Sequence, residues 1–206
     1  MPISICGKVL LVGTCLIAST LAWGQQAQGQ GTQEVGSLDV ALVYNPLLAN
    51  VVGGHRFWME GGSVQLHGQF WPGLHGQIWR GLGLVADISG VHSSHISSSG
   101  VALDLVTASF GPRYTWTPAH RRYTLFGQVL AGEAHGLNSF FPAPAGAALT
   151  ANSLALYVGG GANVYLRGQL SVRAFEADWL RTSMPNAATG VQNNLRLGVG
   201  LIFRFK

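Results

Sequence analysis

Along most of this chain apolar and polar residues alternate with a period of two. The closing stretch, "NNLRLGVGLIFRFK", puts Leu195, Leu197, Val199, Leu201, Phe203 and Phe205 on one parity. Asn194, Arg196, Gly198, Gly200, Ile202 and Arg204 fall on the other. A helix would scatter these residues around its circumference, whereas a strand sorts them onto two faces. The same sorting recurs upstream. In "GGSVQLHGQF", Val64, Leu66 and Phe70 oppose Ser63, Gln65, His67 and Gln69. In "GLGLVADISG", Leu82, Leu84, Ala86 and Ile88 oppose Gly83, Val85, Asp87 and Ser89. Within 102–116 the row Val106, Ala108, Phe110, Tyr114, Trp116 faces away from Thr107, Ser109, Gly111, Arg113 and Thr115. In "SLALYVGGGANVYL", Leu154, Leu156, Val158, Ala162, Val164 and Leu166 oppose Ala155, Tyr157, Gly159, Gly161, Asn163 and Tyr165. Three further segments are weaker: 37–45, 123–135 with an ambiguous phase, and 170–181. In the last, Arg173 lies on the opposite parity to Glu176 and Asp178, which points to a bulge between them or a rim position for the acids.

These segments predict about eight strands, and the links between them carry a second pattern. Links over 45–60, 91–101, 137–152 and 182–192 are long, and those over 71–77, 117–122 and 167–169 are short. A soluble sandwich has no reason to sort its loops this way. A barrel threaded through an outer membrane has short turns on the periplasmic side and longer loops outside. A strand of about 12 residues tilted near 45° spans roughly 28 Å of bilayer, close to the apolar band of such barrels. Aromatic residues fall where interfacial girdles belong: Trp71, Trp79, Tyr114, Trp116, Tyr123, Phe203 and Phe205 toward the short turns, and Tyr44, Phe57, Trp58 and Trp179 toward the long loops.

At this strand number the interior is only wide enough to be filled by side chains, so the small and hydrogen-bonding row faces inward. The large apolar row then faces lipid, which assigns Leu82, Leu84, Leu156, Val158, Leu197, Val199 and Leu201 to the bilayer. Closure also pairs every backbone group, as lipid demands. Asp87, Arg113, Arg173 and Arg196 share the interior as a structural charge network, where burial requires them to be paired, with Glu176 or Asp178 at hand.

Composition agrees. Of 206 residues 48% are apolar, 10% charged and 29 are glycine, yet beyond the N-terminus no apolar run reaches the roughly 18 to 20 residues of a membrane helix. At the N-terminus Lys8, an apolar run over 9–21 and Ala22-Trp23-Gly24 read as a secretory signal over 1–24. A flexible polar segment follows over 25–36, then one barrel domain over 37–206. Both cysteines, Cys6 and Cys15, lie in the signal, so the mature chain has no disulfide, thiolate metal site or cysteine nucleophile. The net charge of +4 falls by one with Lys8, and the remaining cations are scattered, which excludes a nucleic-acid footprint.

Taken in order, "GGSVQLHGQF", "GLGLVADISG", "FGPRYTW", "LFGQVLAGEAHG", "YVGGGANVYL", "VRAFEADWL" and the closing stretch resemble the eight-stranded outer-membrane β-barrel family typified by the OmpA transmembrane domain. The resemblance covers 36–206. It implies an all-β fold, a transmembrane antiparallel barrel of up-and-down topology, located in the outer membrane in contact with its lipid and lipopolysaccharide. It implies a monomer that needs no cofactor and is folded by the barrel-assembly machinery. Phe203 and Phe205 match the assembly signal of that family, and Lys206 departs from its usual aromatic terminus.

Some barrels of this size modify lipids. "HSSHISSS" contains His92, His95 and Ser97, and its His-x-Ser spacing resembles the dyad of lipid A deacylases, with Glu133 or His135 as a possible supporting group. The same stretch reads equally as a solvated serine-rich loop. His92, His95 and His135 could also meet as a rim metal site, though nothing in the spacing fixes their geometry. Gly159, Gly160 and Gly161 lie inside a strand with no helix after them, so they are not a phosphate loop. The expected protein is a small, non-enzymatic outer-membrane barrel acting in envelope integrity or surface interaction through its long loops. The alternatives are a lipid-modifying enzyme and a soluble secreted barrel with the leucine rows wrapped around a ligand.

Overall fold

Each period-two segment forms a strand in the computed structural model, which describes residues 37–50, 56–69, 81–96, 101–118, 122–143, 146–185 and 190–205. The strands are β1 (Leu38–Tyr44), β2 (Leu47–Asn50), β3 (Arg56–Gly68), β4 (Leu82–Ser93), β5 (Leu103–Trp116) and β6 (Tyr123–Leu137). They continue with β7 (Phe141–Ala143), β8 (Gly146–Ala148), β9 (Ala151–Arg167), β10 (Leu170–Thr182) and β11 (Gln192–Phe205). Sequential neighbours pair antiparallel from β3 through β6, then β9, β10 and β11. The last strand returns to the first, with Leu38 opposite Phe205 and Tyr44 opposite Val199, so no edge remains. β1 and β2 are two halves of one strand, each flanked by β3 and β11, which makes an eight-stranded closed up-and-down barrel. β7 and β8 form a separate hairpin between β6 and β9.

The first strand corrects the loop pattern. Pro46 has no N–H for the ladder and interrupts it. The chain nevertheless stays in the wall, because Asn45 N donates to Gly61 O at 2.8 Å and Leu197 N donates to Pro46 O at 2.9 Å. β2 and β3 thus occupy most of the expected 45–60 loop and leave only 51–55 between them, so the first link is not a long one, while the 71–77 link lies outside the described residues. The strict alternation of long and short links therefore fails. The proline mimics loop composition in a segment that pairing on both sides holds as strand. The 137–152 link likewise contains the β7–β8 hairpin.

Along β10 the register shifts between Arg173 and Glu176 against β11, and between Arg173 and Phe175 against β9. Ala174 and Phe175 are both exposed, so the extra residue lets Arg173, Glu176 and Asp178 all face inward. The bulge reconciles the parity conflict in this segment.

The two faces of the wall differ sharply. Leu82, Leu84, Leu156, Val158, Leu197, Val199 and Leu201 all lie on the outer face with Phe110, which is 71% exposed. Many outer aromatics lie near the strand ends, with Tyr114, Trp116, Tyr123, Phe203 and Phe205 toward the chain termini and Trp58 and Trp179 toward the opposite end, whereas Tyr44 sits at mid-wall opposite Val199 and Gly62. Phe57 is a correction: it lies on the inner face and packs against the apolar cluster, because Trp58 takes the outward parity. Trp71, Trp79, the signal over 1–24 and the segment over 25–36 lie outside the described residues.

Inside, the barrel is layered. Leu47, Met59, Leu105, Leu130, Phe141 and Met184 form an apolar cluster toward the end away from the termini. A polar layer fills the middle, and a cavity of about 300 Å³ occupies the end that carries the termini.

Candidate functional site

Glycine provides the room for the polar layer. A Cβ at Gly198 would sit within 3.0 to 3.1 Å of Val43, Asn45 and Glu176 side-chain atoms, and one at Gly159 would collide with the Asp178 carboxylate. With those positions bare, Arg113, Arg173 and Arg196 meet Asp87, Glu176 and Asp178, and all six are nearly inaccessible. Arg196 binds Asp87 at 2.9 Å, Asp178 at 2.8 Å and Glu176 at 3.4 Å. Arg173 binds Glu176 at 2.6 Å. The three cations balance the three anions in formal charge, which is the condition for burying them at all.

Neutral side chains knit the ions together. Gln65 donates to Glu176 at 3.0 Å and its carbonyl accepts from Arg113 at 2.6 Å and Arg173 at 2.5 Å. Gln128 donates to Glu176 at 2.9 Å and Asp178 at 3.0 Å while accepting from Arg113 at 2.5 Å. Phe126 lies between two guanidiniums, 4.3 Å from that of Arg113 and 4.7 Å from that of Arg173, and Tyr157 lies 4.5 Å from that of Arg196. Tyr157 in turn hydrogen-bonds Thr107 at 2.7 Å.

The structure thus brings Asp87, Arg113, Arg173 and Arg196 into one cluster and adds both Glu176 and Asp178 to it. Gln65, Gln128 and Phe126 had not been singled out as members. Gln65 was legible as part of an inward polar row, but Gln128 and Phe126 lie in the segment of ambiguous phase. Such a densely bonded, formally neutral cluster stiffens the barrel and blocks its middle. It offers no free nucleophile.

At the opposite end of the barrel from the termini, His92 lies on the outer face with Nδ1 2.5 Å from Asp104 Oδ1, and Asn138 also bonds Asp104. His95 Nδ1 lies 2.9 Å from Ser94 Oγ, and His135 bonds Asn152. The three histidines therefore engage separate partners, and among the described residues no group of three or more His, Cys, Asp or Glu side chains is placed to hold a metal ion. Glu133 is exposed on the outer face. Ser97 lies outside the described residues.

Solved barrels share this architecture. The crystal structure of Ail, the attachment invasion locus protein of Yersinia pestis, matches 83% of this chain and 99% of its own at 12% identity, with a TM-score of 0.54. That of Neisserial surface protein A matches 82% of this chain and 97% of its own at 9% identity, with a TM-score of 0.57. At these identities the likeness is one of fold. No family model and no curated protein matches the chain.

Proposed function

We propose that this protein is a small integral barrel of the outer membrane that serves envelope integrity or surface interaction without catalysing a reaction. The distribution of the two residue classes carries the reading. Buried ion pairs occupy the middle of the inside and leucine, valine and aromatic side chains cover the outside, the reverse of a soluble barrel enclosing an apolar ligand. Only a lipid environment makes that outer face favourable, and the eight-stranded fold fits the reading. The wall meets lipid through Leu82, Leu84, Leu156, Val158, Leu197, Val199 and Leu201, and Phe203 and Phe205 serve barrel assembly. At the external end Phe140 and Leu149, flanking the β7–β8 hairpin and both more than 60% exposed, form a surface for contact with lipopolysaccharide or a partner.

The test is to express the precursor in a Gram-negative host, isolate outer membranes and compare boiled with unboiled samples by electrophoresis. A heat-dependent shift in the outer-membrane fraction is expected. A soluble periplasmic protein without a shift would refute the reading.

The 2.5 Å pairing of His92 with Asp104 favours a second reading, a lipid-modifying enzyme, since a carboxylate that orients an imidazole is part of hydrolytic machinery. Mass analysis of lipid A from cells making the wild type or His92→Ala should show no difference. A change in acylation that depends on His92 would transfer the assignment to the enzyme.

A further inference from the structure

The formal neutrality of the interior conceals an asymmetry. Arg196 gathers Asp87, Asp178 and Glu176, and Arg173 shares Glu176. Arg113 has no carboxylate within ion-pair distance among the described residues. The residue is only 3% exposed, and its guanidinium hydrogen bonds go to the amide oxygens of Gln65 and Gln128. A cation buried against neutral dipoles alone is costly, and an anion beside it would relieve the cost.

Arg113 borders the 300 Å³ cavity at the end carrying the termini. Arg173 lines it too, and Arg122 and Arg204 stand on its walls nearer the chain ends. The one carboxylate in the lining is Asp39, already held by Arg204 through bonds of 2.7 and 2.9 Å. Four arginines line the cavity against this one carboxylate; Arg173 is paired with Glu176 and Arg204 with Asp39, which leaves Arg113 and Arg122 with no ion-pair partner among the described residues. Such a concentration of one sign between low-dielectric walls focuses the field, and guanidinium groups match the geometry of phosphate and carboxylate oxygens. The volume is at the lower edge of ligand pockets, roughly 300 to 1,000 Å³, so the occupant is small. Lining residues come from β1, β3, β5, β6, β9, β10 and β11, so the site lies inside the closed ladder, where bilayer lipid cannot enter sideways.

We propose that this vestibule binds a small, soluble, multivalent oxyanion of the phosphate or carboxylate class, seated against Arg113 and Arg173 with Arg204 toward the mouth. Its periplasmic source rests on the membrane orientation proposed above. The binding itself does not, and it can be measured on the folded chain in detergent.

The mature chain is folded in neutral detergent, with folding checked by the electrophoretic heat shift, and titrated calorimetrically with sodium pyrophosphate against sodium chloride of matched ionic strength. Saturable binding of one pyrophosphate is expected. Thr115→Glu plants a carboxylate on the same face of β5 as Arg113, and Arg204→Gln removes a cation and frees Asp39. Each should weaken binding about tenfold or more, the worth of one charge-assisted contact. Arg181→Gln, at the far end of the barrel, should leave it unchanged. If Thr115→Glu does not fold, Arg204→Gln carries the test. Retention of binding in nanodiscs of anionic lipid is expected of a soluble ligand, and its loss there would overturn that source in favour of lipid headgroups. No saturable heat above the chloride control, or equal affinity in the Arg204→Gln and Arg181→Gln proteins, would overturn the proposal.

Discussion

Replacing Arg196 with methionine isolates the energetics of the polar layer. The residue is 1% exposed and its side chain holds three carboxylates, but these do not suffer equally from its loss. Glu176 keeps Arg173 at 2.6 Å and Gln65 at 3.0 Å, and Asp178 keeps Gln128 at 3.0 Å. Asp87 is fully buried, its bond to Arg196 runs through Oδ1, and its Oδ2 has no hydrogen-bond partner among the described residues. Most of the damage is therefore an uncompensated carboxylate at Asp87, and the expected cost is about 3 to 5 kcal/mol. Arg113→Met removes a cation bound to neutral amides, so it should cost only about 1 to 2 kcal/mol. Adding Asp87→Asn to Arg196→Met removes the stranded charge and should restore about 1 to 3 kcal/mol through coupling of the two sites. The assay is reversible urea unfolding of the barrel in lipid vesicles, followed by tryptophan fluorescence and by the heat shift, with slopes compared so that midpoints convert to free energies. An Arg196→Met protein within about 1 kcal/mol of wild type, or no gain from the added Asp87→Asn, would refute the account of Arg196 as the organising cation.

Other outcomes follow from the wall. Leu197→Arg or Leu156→Arg should cost roughly 2 to 4 kcal/mol of folding into vesicles, and normal folding of both would undercut the outward facing. Deleting Ala174 removes the β10 bulge and forces either Arg173 or the Glu176 and Asp178 pair onto the outer face, so the heat-shifted band should be lost. Phe141→Ala opens a void in the apolar cluster and should lower stability by about 3 kcal/mol in the same urea assay, leaving pyrophosphate affinity unchanged because the cavity lies at the other end. Deleting 97–100 should leave the heat shift intact, since β4 and β5 complete their register from Leu82 opposite Tyr114 to Ser93 opposite Leu103 without it.

The order of residues was sufficient to decide which side chains share a face. Period two in a strand admits no other sorting, so the outward leucines and the inward Asp87, Arg113 and Arg196 were legible wherever one parity was consistently large and the other small or polar. The signal weakened where both parities were large, as with Leu125 beside Phe126 and Val129 beside Leu130 in β6. There the inward choice is made by Phe126 lying against Arg113 and Arg173 and by Leu130 joining the apolar cluster. Local composition also misread the first strand, because Pro46 signals a turn unless neighbours on both sides supply the ladder. Contacts across the barrel were beyond any local pattern. Arg196 meets Asp87 across 109 positions of sequence and Gln65 meets Glu176 across 111, pairings set by closure and by the stagger between strands. The sequence alone therefore determined the alternation, the strand count and the sign of each face. Only the closed tertiary structure decided which charges met, which arginine was left with neutral partners, and that a positively lined cavity lay beside it, because those depend on distances between residues that the chain brings together from opposite ends.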